Sequence, residues 1–452
     1  MGWVREPATL RGTESVTPGE LIYLVWNDLV GLSRTRGVPA AEYERRKDHG
    51  LGWALAGQSL TPFEDIADNP WGPMDEVRQI PDDDTRRRIV LQPEYPALHL
   101  VLCDSLNPDG SPWECCTRSF LASALADLKA ETGLDLHIAY ENEFGLLGEG
   151  LEWAAPFSLD AARRIAPFAD LCVAALIEAD LGLETFEPEY GVGQYEITNG
   201  PAAGLAGADR VVLAREVVRE AARQCGLRAT FTPKPTPDAV GNGCHLHLSL
   251  WDDDGSPAAY DAEAPGELST VAASFCAGVQ RHLAALCALT APSPISYLRL
   301  VPHHWSCAYD IVGVQNREAA IRICPSPVPV PAARGDAFNI EFRFTDATAS
   351  PYLAIGAIVR AGLEGIREGL PCPSLVDGEP NDLSDDERSA LGIGRLPTSL
   401  QAALDAFGDD ETVTGWFTPT MVEAYTALKR HEARVYTESR PERMCERYAQ
   451  AY

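Results

Sequence analysis

Four short stretches of this 452-residue chain place metal-capable or charged side chains two residues apart. They are Glu141 and Glu143 in AYENEFGLLG, Gln194 and Glu196 in YGVGQYEITN, His245, His247 and Ser249 in GNGCHLHLSLWD, and Glu341 and Arg343 in FNIEFRFTD. A β-strand sends residues i and i+2 to the same face, so each stretch projects its polar set from one side. The positions between are apolar or adaptable (Phe144, Tyr195, Leu246, Leu248, Ile340 and Phe342), as a face packed on a core requires. Taken singly, each stretch has the pattern of a half-buried edge. Together with Glu189 they offer five carboxylates, two imidazoles and an arginine, which points to one sheet whose polar face is an active site. Carboxylate oxygens with few imidazoles suit Mg²⁺ or Mn²⁺ better than Zn²⁺. Glu143, Glu189 and Glu196 form one candidate metal set, and Glu141, His245 and Glu341 another. The glycine-rich GNG that leads into His245 lets backbone approach a ligand closely. Two such ions would bridge and neutralise nucleotide phosphates, so the substrate is expected to be anionic.

Other motifs narrow the chemistry. There is no Rossmann fingerprint, P-loop or GxSxG elbow. Arginines must therefore help hold any nucleotide phosphates. Arg317 and Arg322 in VQNREAAIRICP are the candidates, because guanidinium forks match phosphate oxygens.

The elements that must position these residues can be read coarsely. Residues 21–40 read as a strand, the Gly/Pro/Asp-rich stretch 57–88 as turns, and ALHLVLCD as a further strand before the turn sequence NPDGSPW. This predicts a small β-rich unit over residues 1–112. Over residues 113–452, strands alternate with amphipathic helices near 117–132, 158–181, 208–225, 268–290 and 350–368, and 384–450 reads as largely helical. The expected class is α+β, with helices outside a mainly antiparallel sheet. A formal charge of −29 argues against nucleic acid or an anionic membrane as partner. Twelve cysteines without a CxxC pair fit reduced thiols, MGWVREPATL lacks the apolar core of a signal peptide, and no apolar run approaches a membrane span. A soluble cytoplasmic protein is expected.

The ordered series ENEF, Glu189 with YGVGQYE, TFTPKP with GNGCHLHLSL, RLVP, NREAAIR and EFRFTDATASPYLA resembles the glutamine synthetase superfamily over most of residues 113–370. That resemblance implies a small N-terminal β-grasp domain plus a catalytic antiparallel half-barrel with outer helices. It also implies a homo-oligomeric ring, hexamer or dodecamer, whose sites lie between subunits under a neighbour's N-terminal domain. The shared reaction is ATP-dependent: a glutamate γ-carboxylate becomes an acyl phosphate and an amine displaces phosphate. By resemblance, Glu143, Glu189 and Glu196 match the first metal position, and Glu141, His245 and Glu341 the second, with two or three ions per site. Arg299 of RLVP and Arg343 match arginines that handle the glutamate carboxylates and the transferred phosphoryl group. Arg317 and Arg322 match those facing ATP phosphates and developing charge. His247 and Ser249 match nucleotide contacts, and Gly241 the glutamate-binding loop.

The departures concern the amine. Ammonia-using members read RLVPGxE, whose glutamate takes a proton from ammonium; here RLVPHHWS puts Trp305 there, and an indole N–H only donates. Those members also carry an N-terminal aspartate in a DGS segment, whereas GLGWALAGQSL has no acid. Val240, Ile295 and Asn339 replace an asparagine, another asparagine and an ATP-contacting arginine. Loss of the ammonium-handling acids beside an intact metal set points to a changed amine. Trp305, His303 and His304 would offer a largely neutral aromatic wall for an organic amine. The expected activity is a γ-glutamyl amide ligase; an ordinary glutamate–ammonia ligase is the close alternative, and a non-catalytic ring of the same fold the third.

Overall fold

The computed structural model describes residues 19–326, 333–437 and 440–452; the segment MGWVREPATL lies outside them. Its first sheet holds β1 (Leu21–Asn27), β2 (Ser33–Pro39), β3 (Leu51–Ala54), β4 (Glu76–Pro81), β5 (Arg87–Ile89) and β6 (Leu98–Leu106). The order is β2-β1-β6-β4-β3, with β5 also on β6; β1 and β6 are parallel and the other pairs antiparallel. Alternation along β1 explains its central place. Ile22, Leu24 and Trp26 pack with Val101, Cys103 and Tyr43 on one face, while Val25 joins the main core on the other.

Two expectations for this unit change. Residues 21–40 form a hairpin rather than one strand, because the Asp28 carboxylate accepts the Val30 and Leu32 N–H groups at 3.0 and 2.9 Å and turns the chain. Gly31 completes that turn at φ +74°, where a Cβ would lie 2.6 Å from the Thr348 carbonyl oxygen, so the turn docks directly on the larger unit. The stretch 57–88 contains β4, whose Val77 and Gln79 are fully buried beside β6. Tertiary packing there overrides a turn-rich composition.

The second sheet holds β7 (Asp135–Leu147), β8 (Leu183–Pro188), β9 (Gln194–Ala203), β10 (Arg228–Thr230), β11 (Cys244–Trp251), β12 (Tyr309–Val314), β13 (Ala319–Ile323) and β14 (Ile340–Phe342). Its order is β12-β13-β14-β11-β7-β9-β8, with β10 also on β7. Every pair is antiparallel except β12 with β13. Helices Thr117–Thr132, Leu205–Gln224, Thr270–Thr290 and Pro351–Glu368 pack together outside this sheet. Among the described residues one helix, Thr270–Thr290, is long and apolar enough to cross a membrane; it is mostly buried in the core. The C-terminal part is helical in pieces, including Leu400–Asp409, Pro419–Tyr436 and Pro441–Ala451. All apolar spacer residues named from the sequence are buried, which leaves the opposite face of β7, β9, β11 and β14 free for polar groups.

Candidate active site

Strand register converts the sequence spacing into a row of facing side chains. Glu141 of β7 lies directly opposite His245 of β11, and His247 opposite Glu341 of β14. Glu341 in turn lies opposite Arg322 of β13. On the other flank Glu196 of β9 sits between Glu143 of β7 and Glu187 of β8. Directly opposed residues have Cβ atoms about 5 Å apart, so these pairs must interact.

The Glu141 end is a mixed carboxylate–imidazole cluster. His245 Nδ1 lies 3.1 Å from Glu141 and 3.4 Å from Glu341, and His247 Nε2 lies 3.2 Å from Glu141. Donor atoms of Glu141, His247 and Glu341 all fall within 4.8 Å of one another, a spacing that one metal ion can span. The structure thus draws His247, which the sequence assigned to the nucleotide, into the same cluster as His245. Asn339 orients it, with its Oδ1 2.8 Å from His247 Nδ1. Glu341 is fully buried and gripped by Arg322 at 2.7 Å and by Arg343. Burial alone would raise its pKa, but Arg343 and the two histidines hold it down to about 2. Burial, with Arg343 nearby, pulls His245 down to about 4, so its ring is neutral and able to donate a lone pair.

The Glu143 end is purely acidic. None of Glu143, Glu189 and Glu196 forms an ion pair among the described residues; Glu143 accepts only from the Gln194 amide (3.0 Å) and the Gly243 region. Burial, then the charge of Glu189, pushes Glu143 up to about 7. Burial and the neighbouring glutamates push Glu196 up to about 10, and Glu189 is raised by burial as well. Converging carboxylates that oppose one another's ionisation, without a protein cation between them, are the donor set of a hard divalent ion. The Glu143 cluster fits a divalent metal on that ground, and the Glu141–His247–Glu341 group on the spacing of its donor atoms.

The cationic side closes over these acids. Arg299 is buried; its Nη2 donates to the Thr345 carbonyl at 2.8 Å and its Nε has no partner. Gly241 packs on it so tightly that a Cβ would lie 2.5 Å from Arg299 Cγ. Gln194, read from the sequence only as a polar partner of Glu196 on one strand face, has its Nε2 within 3.0 Å of Glu143, the Gly241 carbonyl and Asn242, tying the acidic set to the Gly241 loop. Its place two residues before Glu196 was the available signal. Ser249 faces the same side as the histidines and accepts the Trp251 indole N–H at 2.7 Å.

Trp305 rides on an unusual loop. His303, Trp305 and Cys307 all have positive φ (63°, 50° and 57°), a conformation that costs a non-glycine residue on the order of 1 kcal/mol. Compensating bonds fix it. Ser306 Oγ donates to the Arg299 carbonyl at 2.6 Å, Arg343 Nη2 donates to the Trp305 carbonyl at 2.7 Å, and the Trp305 N–H donates to Glu318 at 2.9 Å. The result leaves the Trp305 side chain 62 % exposed, with the Arg317 guanidinium 5.9 Å from its ring centroid. His303 and His304 are exposed beside it. Two acids lie close to this expected aromatic wall. Glu318 is buried directly behind Trp305, and Glu379 lies 3.7 Å from His303. Glu318 stands inside NREAAIR, between Arg317 and Arg322, and its place in that motif is the only signal the sequence offers for it.

Comparison with known proteins gives the architecture and site a context. The model for the glutamine synthetase catalytic domain matches residues 114–448, and that for the glutamine synthetase N-terminal domain matches residues 7–113. The gamma-glutamylpolyamine synthetase GlnA3 of Streptomyces coelicolor is 33 % identical over 428 residues, covering 91 % of this chain and 89 % of that protein. The glutamine synthetase of Methanocaldococcus jannaschii is 31 % identical over 450 residues, covering 96 % of each. A crystal structure described as a novel glutamine synthase homolog superposes with a TM-score of 0.88 at 43 % identity, covering 96 % of this chain and 99 % of that one. Carrying the fold, the acid and arginine sets and both family domains, the chain belongs to the glutamine synthetase family of ATP-dependent ligases.

Proposed function

We propose that this ligase joins the γ-carboxylate of glutamate to an organic amine rather than to ammonia. The observation that carries the reading is Trp305, an exposed indole on a pinned loop six residues after Arg299. The family's ammonia enzymes, by the resemblance above, place a proton-accepting glutamate there. The 33 % identity to a protein named a gamma-glutamylpolyamine synthetase supports it.

In this mechanism a γ-carboxylate oxygen of glutamate attacks the terminal phosphorus of ATP and the bond to ADP breaks. The amine nitrogen then attacks the acyl carbon, phosphate leaves, and the nitrogen gives up its proton to bulk water or to a carboxylate of the acidic set such as Glu189. Arg299, at the Gly241 loop, binds a glutamate carboxylate. Arg317, Arg322 and Arg343 neutralise charge that develops on the transferred phosphoryl group, where fixed cations act most strongly. His247 and Ser249 line the nucleotide side. Family enzymes use ATP and divalent ions; here Glu143, Glu189 and Glu196, and Glu141, His245 and Glu341 with His247 alongside, would hold Mg²⁺ or Mn²⁺, two or three per site. Bound there, the ions supply Lewis-acid neutralisation of phosphate charge.

We read residues 1–112 and 113–452 as the two units of a ring-forming subunit, hexameric or dodecameric, with each site roofed by a neighbour. Twelve cysteines without a disulfide among them support a reducing, cytoplasmic setting. The alternative, a glutamate–ammonia ligase, is favoured by the near full-length match to a glutamine synthetase. Phosphate release from ATP with glutamate, measured against a panel of primary amines and ammonia, tests the proposal. Release that needs glutamate and is greatest with an organic amine supports it; release greatest with ammonia contradicts it.

A further inference from the structure

Lys234 lies in the segment that follows β10, between Pro233 and Pro235, and is only 3 % exposed. Among the described residues it makes no hydrogen bond and no ion pair. A buried lysine without a partner is costly and uncommon. Its titratable neighbours are Arg299, which is also buried and has an unpartnered Nε, the exposed His304 of the Trp305 loop, Cys445 and the exposed Asp238. The loop folds back on itself, since the Asn242 N–H donates to the Pro233 carbonyl at 2.9 Å. Lys234 at its root and Gly241 at its end therefore flank the same arginine. Among the described residues neither Lys234 nor the Arg299 Nε has a partner, and the two cations act on one another, so together they offer a place for an anion of the substrate.

We infer that Lys234 is a second cation of the acid-substrate pocket, meeting the α-carboxylate of the amino-acid substrate beside Arg299. This rests on the glutamate-ligase reading given above. Of the substrate's two carboxylates, the γ group must reach the phosphoryl-handling arginines Arg317 and Arg343 beside the Trp305 loop. The α group is left for the Gly241 loop. A planar guanidinium and a mobile ammonium together can satisfy both carboxylate oxygens. Burial and, to a lesser extent, Arg299 pull the Lys234 pKa below its ordinary value, the behaviour of a charge that lacks its counter-ion.

The test compares wild type with Lys234→Met, which keeps length and loses charge, and with Lys234→Arg. Steady-state KM values for glutamate, ATP and amine are measured, together with the melting shift that glutamate induces. 4-Aminobutyrate, which has the γ-carboxylate but no α-carboxylate, serves as the second acid. Lys234→Met is expected to raise KM for glutamate about tenfold or more, the scale of one charge-assisted hydrogen bond. KM for ATP should stay unchanged, the glutamate-induced shift should shrink, and the preference for glutamate over 4-aminobutyrate should narrow. Lys234→Arg should recover part of each. Without substrate, Lys234→Met should melt no lower than wild type, because an unpaired buried charge has gone. An unchanged glutamate KM, or a lower melting point as the only effect, would overturn the assignment while leaving the ligase reading intact. A wild type that neither binds nor consumes glutamate would overturn both.

Discussion

Metal-free protein should lose stability as pH rises from 4.5 towards neutrality, and a divalent ion should restore it while displacing protons. The perturbation is chelation followed by titration with Mg²⁺ at several pH values. Glu143 has a folded pKa of about 7 against an ordinary 4.5, and Glu196 one of about 10. Raised carboxyl pKa values mean that the fold prefers the protonated acid. Stability is therefore fully present below the unfolded value and is lost as pH climbs through the folded one. For Glu143 alone the loss completes near pH 7 and amounts to about 3 kcal/mol. Metal binding requires both carboxylates ionised, so at pH 6 it should release about two protons, falling towards one near pH 8. Calorimetry in two buffers of different ionisation enthalpy counts those protons, and melting curves follow the stability. Glu143→Gln should lower the count by about one at pH 6. Metal binding at pH 6 without proton release, or a metal-free melting temperature flat from pH 5 to 8, would refute the reasoning.

Other predictions concern the Trp305 loop and the Gly241 loop. Trp305→Ala should cost about 1–3 kcal/mol in kcat/KM for an apolar amine, the loss of one aromatic contact, and leave the metal titration unchanged. Glu318→Ala removes the acceptor of the Trp305 N–H and should raise the amine KM about tenfold. Glu318→Gln keeps an acceptor oxygen and should stay near wild type; equal losses in both variants would show that the charge, rather than the hydrogen bond, matters. Gly241→Ala forces a Cβ to 2.5 Å from Arg299 Cγ, so KM for glutamate should rise about tenfold or more; an unchanged value would mean that the loop yields.

Much of the site was legible because strand periodicity is exact. Glu141, Glu143, Glu196, His245, His247 and Glu341 could be placed on one face from their spacing, and the register pairs them as neighbours. Spacing says nothing about which strands lie side by side, so it could not show His247 sharing Glu141 with His245. Groups acting through tertiary contact were harder still. Gln194 reaches Glu143 across 51 positions, and Glu318 holds Trp305 from a different strand connection. Lys234 lies in the TFTPKP segment, yet burial without a partner is a property only the folded structure reveals. In the smaller unit β4 was missed because prolines and aspartates around it outweigh two buried residues, Val77 and Gln79, in composition.

In the proposed function the Trp305 loop has exchanged proton abstraction for recognition of an organic amine. The direct measurement is kcat/KM at neutral pH for ammonia and for a series of primary amines, with glutamate and ATP saturating and product formation followed by mass. At least one organic amine should exceed ammonia by tenfold or more, on the order of the energy of one buried aromatic contact, and Trp305→Ala should narrow the gap. Ammonia as the best nucleophile, with Trp305→Ala leaving the ranking unchanged, would contradict it.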